Sequence, residues 1–373
     1  MSVTAYRAAA IHDGMALRRG VVLVVDGPVV RGLAAPGELP EGCEVVETGA
    51  EILAPGYVDL QVNGGGGVML NDGPSPERME VIARAHAACG TTSILPTLIS
   101  AGRAATEAAM DAQRRPVRGV IGLHLEGPHL DPVKAGAHSP ALIRPMEDED
   151  LERLRAVRGR LKVTLAPATV SLAQVERLAA EGVLVSLGHS ACSFEVARDY
   201  AAAGARCVTH LFNAMSQMES RAPGLVGAAL ACGTLSAGLI CDGVHVHPEA
   251  MRLAARAKQG PGRLFLVSDA MACAGSEIER FTLDGREILR RDGRLTLADG
   301  TLAGADLVMA EAVRNAVRLM GLSAEEAIAM ATGVPAALVG AGAGRLRAKA
   351  PADFIALDAG LRVQRVWQAG SEL

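Results

Sequence analysis

Eight short apolar segments alternate with helix-like segments between residues 57 and 267, and this alternation constrains the fold more than any other feature of the sequence. Regular alternation of strand and helix predicts parallel β/α units, and eight such units are the number that closes a (β/α)8 barrel. The expected strands are residues 57–62, 92–96, 120–125, 162–166, 183–187, 207–211, 236–240 and 264–267. We therefore predict an α/β fold in which residues 55–345 form a TIM-like (β/α)8 barrel.

Both ends of the chain have a β pattern without helices. Near the N-terminus, apolar runs at 21–25 and 29–33 flank the turn sequence Asp26-Gly27-Pro28, which predicts a hairpin. Near the C-terminus, residues 354–357 and 363–367 are also strand-like. Because neither end alone buries much apolar surface, we expect the two to combine. The prediction is one small β-sandwich domain built from residues 1–54 and 346–373.

The strand and helix alternation fails at residues 276–302. Three Asp-Gly pairs, at 284–285, 292–293 and 299–300, follow one another there and are typical of hairpin turns. We therefore predict a β insertion in the barrel before its last helices. Ser323, followed three residues later by Glu326, predicts a capping box at the start of one of those helices.

Charge and cysteine content exclude several classes of protein. The formal charge is −4 with both signs interspersed, so there is no broad basic surface for nucleic acid or for a membrane. Residues 222–241 are uncharged, but Pro223 and four glycines favour a loop leading into a buried strand over a membrane span. The seven cysteines form no C-x-x-C pair, which indicates reduced thiols in a cytoplasmic protein.

Polar side chains fall where the predicted strands end. Glu126, His189 and His210 end the third, fifth and sixth strands, and His245 and Asp269 lie just past the seventh and eighth. In a β/α barrel these positions open onto the C-terminal face, where active sites are built. Two imidazoles and one carboxylate are an ordinary ligand set for a divalent ion that keeps a position open for water. We predict one divalent metal ion per subunit, zinc before iron or another ion, with Asp269 as the proton acceptor.

Each of these residues also has an ordinary structural interpretation. A histidine at a strand end is usually a structural residue, and an aspartate after a strand is usually the cap of the next helix. Their coincidence on one rim is what indicates a site. His124 and His129 are expected to support the ligands rather than bind the metal. The glycine-rich stretches 64–67 and 340–344 lack the spacing and the strand-to-helix context of a dinucleotide-binding loop.

Six stretches of sequence carry a resemblance to a known family, in order through nearly the whole chain. They are P-G-Y-V-D at 55–59, H-L-E-G-P-H at 124–129, G-H-S at 188–190, T-H-L-F-N-A-M at 209–215, D-G-V-H at 242–245 and S-D-A at 268–270. With them the chain resembles the N-acetylglucosamine-6-phosphate deacetylases of the amidohydrolase superfamily, and T-H-L-F-N-A-M together with H-L-E-G-P is specific to that family.

The resemblance implies a barrel of the amidohydrolase type and a hydrolase of amino-sugar catabolism or recycling. The implied reaction converts N-acetylglucosamine 6-phosphate to glucosamine 6-phosphate and acetate. In it a metal-bound water attacks the amide and Asp269 acts as general base and acid. The resemblance also implies that Glu126, His189 and His210 bind the metal.

Further substrate contacts are implied by the resemblance alone. His138 would steady the acetyl carbonyl oxygen, and Leu302 belongs to a loop, 302–305, that would lie over the substrate. The phosphate would be held by the backbone amides of Asn213 and Ala214, by Arg221 and by His245. Part of that phosphate site would come from the other subunit of a homodimer or dimer-based oligomer.

The end of the first strand departs from the superfamily pattern. Many amidohydrolases carry His-x-His there and bind a second metal, whereas this chain has Gln61 and Asn63. Amide oxygens are poorer ligands than imidazole for the softer divalent metals. The chain therefore resembles the single-metal branch, with a vestigial second-metal position at these two residues.

Three other functions stay open at this point. The same chemistry on N-acetylgalactosamine 6-phosphate differs by one hydroxyl configuration, and the sequence does not separate the two sugars. A catalytically dead barrel acting as a scaffold conflicts with the presence of all three ligands and the aspartate. Hydrolysis of an acylated amino acid or a cyclic amide gives no reason for Arg221 and the Asn213-Ala214 cradle.

Overall fold

Eight parallel strands form the centre of the computed structural model, which describes residues 3–373. Each strand is hydrogen-bonded to the next one along the chain. The strands are Val58–Val62, Ser93–Ile99, Leu123–Glu126, Leu161–Leu165, Leu184–Leu187, Cys207–Val208, Ser236–Ile240 and Leu264–Val267. A bridge between Val62 and Ala270 connects the first strand to the end of the eighth. The predicted eight-stranded β/α barrel is confirmed.

Two barrel strands are shorter than the sequence predicts by two residues or more. The third strand begins at Leu123, because Gly119 has a φ of +82° and Val120 forms only an isolated bridge to Ile94. The sixth ends at Val208 rather than at residue 211, because the chain turns at His210, where φ is +28°. Apolar runs mark where a strand can lie, but backbone turns decide where it ends.

The part of the chain that the structure describes contains ten α-helices in addition to the barrel strands. Serine side chains at Ser75, Ser171, Ser193 and Ser323 cap four of them, and Ser323 forms the predicted capping box with Glu326. The helices are Pro76–Ala88, Arg103–Ala112, Asp148–Arg155, Leu172–Ala180, Phe194–Ala202, Gly224–Ala231, Pro248–Ala257, Met309–Met320, Ala324–Met330 and Gly333–Leu338. Short 3₁₀ turns lie at Leu70–Asp72, Pro132–Lys134 and Pro140–Leu142. Within residues 3–373 no helix has both the length and the apolar character needed to cross a bilayer.

The two chain ends form two further sheets. The four-stranded sheet has the order Val29–Ala34, Val22–Asp26, Val3–Arg7, Glu44–Glu47. The six-stranded sheet has the order Ser371–Glu372, Val363–Gln368, Phe354–Leu357, Ile52–Pro55, Ala10–His12, Leu17–Arg18. The N-terminal segment of the chain thus pairs directly with the C-terminal segment, through Ile52–Pro55 and Phe354–Leu357, as expected from the sequence.

An aromatic cluster joins these two sheets. Phe354 and Trp367 of the six-stranded sheet stack with ring centroids 4.5 Å apart, and Tyr6 of the four-stranded sheet meets Phe354 edge-on at 4.9 Å. Apolar side chains from both sheets fill the space around the three rings. The arrangement is that of a sandwich, and the domain limits at 54/55 and 345/346 stay a prediction.

The insertion folds as a three-stranded antiparallel sheet of Arg280–Leu283, Arg286–Arg291 and Arg294–Thr296. Its two hairpin turns are the predicted Asp-Gly pairs at 284–285 and 292–293, in which all four residues have positive φ. Such turns match the twist of the strands they connect. The third pair, 299–300, lies in a turn closed by an isolated bridge between Thr296 and Leu302. Leu283, Ile288 and Leu295 point their buried side chains into an apolar cluster that includes Met271 at the mouth of the barrel. The insertion therefore packs against one side of that mouth.

Candidate active site

Three predicted ligand atoms converge at the C-terminal end of the barrel. Glu126 Oε1 lies 3.1 Å from His210 Nε2 and 3.5 Å from His189 Nε2, and the two Nε2 atoms are 3.0 Å apart. All three side chains are buried. A divalent ion lies roughly 2.0–2.3 Å from nitrogen and oxygen ligands, so one ion placed between these atoms can reach all three. The donor set and its spacing fit a single divalent metal.

The orientation of His189 supports this fit. Its Nδ1–H donates to the carbonyl oxygen of Lys134 at 2.8 Å, which leaves the lone pair on Nε2. Metal-binding histidines commonly have their second nitrogen held in this way. Gly188 precedes His189, and a Cβ at that position would lie 2.9 Å from the side chains of Thr164 and Thr209. The close packing of Gly188 against the neighbouring strands therefore helps to fix the position of the chain where it turns at His189.

Backbone strain is concentrated at the same rim. His189, His210 and Asp269 have φ values of +46°, +28° and +51°, and Phe212 and Ala214 on the adjoining turn are also positive. Non-glycine residues rarely adopt this region, and such residues cluster at functional sites. Three strand ends turn sharply at the residue whose side chain enters the site.

Asp269 is held by two amide side chains. Its Oδ1 accepts hydrogen bonds from Asn63 Nδ2 at 2.7 Å and Gln61 Nε2 at 3.1 Å, and Gln61 Nε2 also donates to Glu126 Oε1 at 3.0 Å. An ionised carboxylate only accepts, so the nitrogen of each amide must face it. Gln61 and Asn63, at the predicted second-metal position, thus present donors to the carboxylates, and Oδ2 of Asp269 is left for other partners.

Burial and neighbouring charges shift the protonation of the site. Burial opposes the ionisation of Glu126, but the adjacent imidazoles of His189 and His210 hold its pKa well below the ordinary value. Burial and the charge of Glu126 raise the pKa of Asp269. Burial and the neighbouring His189 keep the pKa of His138 well below the ordinary value. A neutral imidazole and a carboxylate of raised pKa suit proton transfer near neutral pH.

His138 lies beside the metal-binding residues. Its ring centroid is 4.3 Å from that of His189, and one of its ring nitrogens belongs to a group of possible ligand atoms, with Glu126 and His189, that lie within 4.8 Å of one another. By distance alone His138 is therefore a possible further ligand. The resemblance instead assigns it to the acetyl oxygen.

A cavity of about 260 Å³ connects these side chains to the surface. Its volume is close to the lower end of the range for small-molecule sites. Of the predicted site residues, all except Gln61 and Arg221 line it. They are Asn63, Glu126, His138, His189, His210, Asn213, Ala214, His245, Asp269 and Leu302.

The predicted phosphate ligands differ in how available they are. The Asn213 N–H donates to the His210 carbonyl at 2.9 Å, whereas the Ala214 N–H has no acceptor within residues 3–373. His245 Nδ1 bonds to Asp242 at 2.6 Å, which leaves its Nε2 as the unbonded ring nitrogen. Arg221 is exposed and is not part of the cavity wall of its own chain.

Sequence reasoning missed several cavity residues. Ile99 and Met271 line the wall, and Ser100 bonds to His138. Ile99 ends the second barrel strand, but the sequence prediction ended that strand at residue 96, and an apolar side chain gave no chemical signal. His124 bonds to Thr97 and Thr164, and the structure shows no hydrogen bond from it to a predicted ligand.

Comparisons with known proteins identify the family of this chain. The model of the Amidohydrolase family matches residues 52–371. The chain belongs to the amidohydrolase family. An N-acetylgalactosamine-6-phosphate deacetylase of Shewanella sp. (strain ANA-3) is 42% identical over 327 residues, which are 86% of this chain and 83% of that protein. The human N-acetylglucosamine-6-phosphate deacetylase is 37% identical over 348 residues, 87% of this chain and 84% of that protein.

The fold of this amidohydrolase is also that of solved relatives. The crystal structure of N-acetylglucosamine-6-phosphate deacetylase from Pasteurella multocida superposes with a TM-score of 0.94 at 32% identity, covering 100% of this chain and 99% of that one. The similarity therefore extends over the barrel, the insertion and the sheets of both chain ends.

Proposed function

We propose that this amidohydrolase removes the acetyl group from N-acetylglucosamine 6-phosphate, producing glucosamine 6-phosphate and acetate in amino-sugar catabolism or recycling. The observation that carries the proposal is the convergence of Glu126, His189 and His210 on one point, with Asp269 and His138 at the same cavity. The relatives named above act on acetylated amino-sugar phosphates according to their names, which supports the same substrate class here.

Glu126, His189 and His210 would hold one divalent ion, with zinc favoured by the two imidazoles and one carboxylate. When bound, such an ion lowers the pKa of water and polarises the amide carbonyl. With one anionic ligand the site retains net positive charge, which suits the stabilisation of an oxyanion.

Asp269 would move the proton. Its Oδ1 is occupied by Gln61 and Asn63, so Oδ2 would accept the proton of the attacking water as the new C–O bond forms. The same oxygen would return that proton to the nitrogen as the C–N bond breaks. His138 would donate a hydrogen bond to the acetyl oxygen as negative charge develops there.

The Ala214 N–H and His245 support a phosphate position at the cavity wall. Arg221 is exposed in its own chain, so we propose that it enters the site of a second subunit in a homodimer. Arginine meets a phosphoryl group with two parallel hydrogen bonds and stays charged at any working pH. We also propose a cytoplasmic location, since the seven cysteines are unpaired.

Arg221→Ala tests the substrate assignment. We expect it to weaken binding of the phosphorylated sugar by about 1.5–3 kcal/mol, the scale of a charge-assisted hydrogen bond. Activity on unphosphorylated N-acetylglucosamine should hardly change. Acetate release from both sugars is the measurement, with exposed Arg280→Ala as the matched control. Equal losses on the two sugars, or no loss on either, would mean that the phosphate is held elsewhere.

The second candidate substrate is N-acetylgalactosamine 6-phosphate. It is favoured by the higher identity to the Shewanella relative, 42% against 37% for the human one. The ratio of kcat/KM on the two sugar phosphates decides between them. Metal content measured together with acetate release tests the remaining alternative, a catalytically dead scaffold, which would release none.

A further inference from the structure

Ser100 directly follows the second barrel strand, Ser93–Ile99, and is fully buried. Two of its groups contact the same atom of His138. The backbone N–H lies 3.3 Å from His138 Nδ1, and the hydroxyl oxygen lies 2.8 Å from it. The two residues are 38 positions apart in the sequence, so only the fold brings them together.

These contacts determine where the proton of His138 lies. A neutral imidazole has one N–H donor and one acceptor nitrogen. The backbone N–H of Ser100 can only donate, so Nδ1 of His138 must be the acceptor and its proton must be on Nε2. The opposite tautomer would direct the Nδ1–H of His138 at the backbone N–H of Ser100, which would then be buried without an acceptor.

The tautomer decides what His138 can do. A ring nitrogen of His138 lies within 4.8 Å of possible ligand atoms of Glu126 and His189. An unprotonated Nε2 would be a metal ligand, whereas a protonated one cannot coordinate a metal and can only donate a hydrogen bond. The contacts of Ser100 therefore separate His138 from the ligands that surround it.

The hydroxyl of Ser100 is confined by its surroundings. A Cβ built on Gly127 would lie 2.2 Å from the Ser100 oxygen, so no larger residue fits at Gly127 while the serine holds this position. Gly127 follows the predicted ligand Glu126 directly. The packing that orients the hydroxyl is thus part of the same strand end that supplies a ligand.

We propose that Ser100 is a positioning residue that holds His138 as the Nε2–H tautomer and so makes it a hydrogen-bond donor rather than a metal ligand. The consequence for catalysis rests on the proposed function, in which His138 donates to the acetyl oxygen. The tautomer itself does not depend on that function.

Nitrogen NMR of the zinc-loaded protein tests the tautomer directly. With ¹⁵N-labelled histidine at neutral pH, the resonances of His138 are assigned by their loss in His138→Asn. We expect a protonated Nε2 and an unprotonated Nδ1 in the wild type, and a larger Nδ1–H population in Ser100→Ala, which keeps only the backbone donor. A wild-type His138 protonated on Nδ1 or bound to zinc overturns the proposal.

Kinetics separate positioning from general stability. Ser100→Ala should lower kcat by about tenfold, the worth of one hydrogen bond, with little change in KM or metal content. Ser100→Thr, which keeps a hydroxyl, should recover part of the loss. Ser93→Ala, a buried serine of the same strand, is the control and should behave as wild type. An unchanged kcat in Ser100→Ala refutes the positioning role. If the wild type shows the Nε2–H tautomer but releases no acetate, only the proposed function fails.

Discussion

Asp269 shows how side-chain contacts distinguish a structural aspartate from a proposed general base. As a helix cap it would bond to backbone N–H groups of a following helix, but its Oδ1 instead accepts from the side chains of Gln61 and Asn63. These partners come from the first barrel strand, 206 and 208 positions away in the chain. The contacts fix the direction of the carboxylate at the cavity, which is what a general base requires.

We expect Asp269→Asn to keep the fold and the metal but to lose activity. The amide oxygen of asparagine can still accept from Gln61 and Asn63, whereas its nitrogen cannot take the proton of water at neutral pH. The expected loss of kcat is about 10² to 10⁴, the usual contribution of a general base. The measurements are kcat, bound metal by elemental analysis and Tm. Retention of more than a tenth of the wild-type kcat with full metal would exclude Asp269 as the base.

Gln61 and Asn63 predict the metal stoichiometry. Because their amide nitrogens face Asp269 and Glu126, these residues offer donors where a second metal would need ligands. We expect about one tightly bound divalent ion per chain. Elemental analysis of the purified protein gives the number, with the Gln61→His/Asn63→His double variant for comparison. Two equivalents in the wild type would show that the second site is not vestigial.

At the scale of elements, the β insertion is connected to the loop that carries His138. The guanidinium of Arg286, on the middle strand of the insertion, donates to the carbonyl oxygen of Ala137, next to His138. Ala137 also packs against the apolar cluster of the insertion. The insertion therefore holds the loop that carries His138, in addition to packing against Met271 of the cavity wall.

Removing this contact should loosen the loop without unfolding the barrel. We expect Arg286→Ala to lower kcat/KM by about tenfold, since hydrogen bonds to charged groups contribute about 1.5–3 kcal/mol and part of this is lost to solvent screening. Hydrogen exchange should increase in residues 280–296 and 131–139. Exposed Arg294, on the same sheet, is the matched control. If Arg286→Ala and Arg294→Ala have the same kcat/KM, the contact does not support the site.

At the scale of the whole molecule, His12 connects the sheets of the chain ends to the barrel. It accepts the Gly14 N–H at Nδ1, 3.1 Å away, and its Nε2–H donates at 3.0 Å to the carbonyl of Glu325 in the helix Ala324–Met330. The ring is fully buried, and burial lowers the pKa of His12 below the ordinary value. A protonated His12 would lose the Gly14 contact.

This connection predicts a pH dependence of stability. As pH falls through the ordinary histidine pKa of about 6.5, the unfolded chain takes up a proton that folded His12 does not. The free energy of unfolding should therefore decrease from about pH 7.5 to about pH 5.5. In His12→Gln the decrease should be smaller, because the other titratable groups remain while the imidazole of His12 is absent. Denaturant unfolding at the two pH values, at equal metal loading, measures it. An equal decrease in the free energy of unfolding for the wild type and for His12→Gln would contradict the prediction.

The sequence by itself determined the barrel, the pairing of the chain ends and the rim on which the polar residues meet. These follow from local patterns, because apolar periodicity marks strands and all parallel strands of a barrel end on one face. Glu126, His189, His210 and Asp269 could be found in this way, since each lies at or just beyond a strand end. His138, Asn213, Ala214 and Leu302 could be proposed only from the family resemblance.

The tertiary structure alone decided which groups within the site contact one another. The amides of Gln61 and Asn63 face Asp269, Ser100 bonds to His138, and Arg286 reaches the loop beside it. Ser100 belongs to no distinctive sequence motif, and Arg286 lies in a sequence typical of exposed hairpins. Each contact joins residues at least 38 positions apart, and its geometry depends on side-chain packing at the barrel mouth. Local sequence constrains where a strand ends but not which distant donor meets its last side chain.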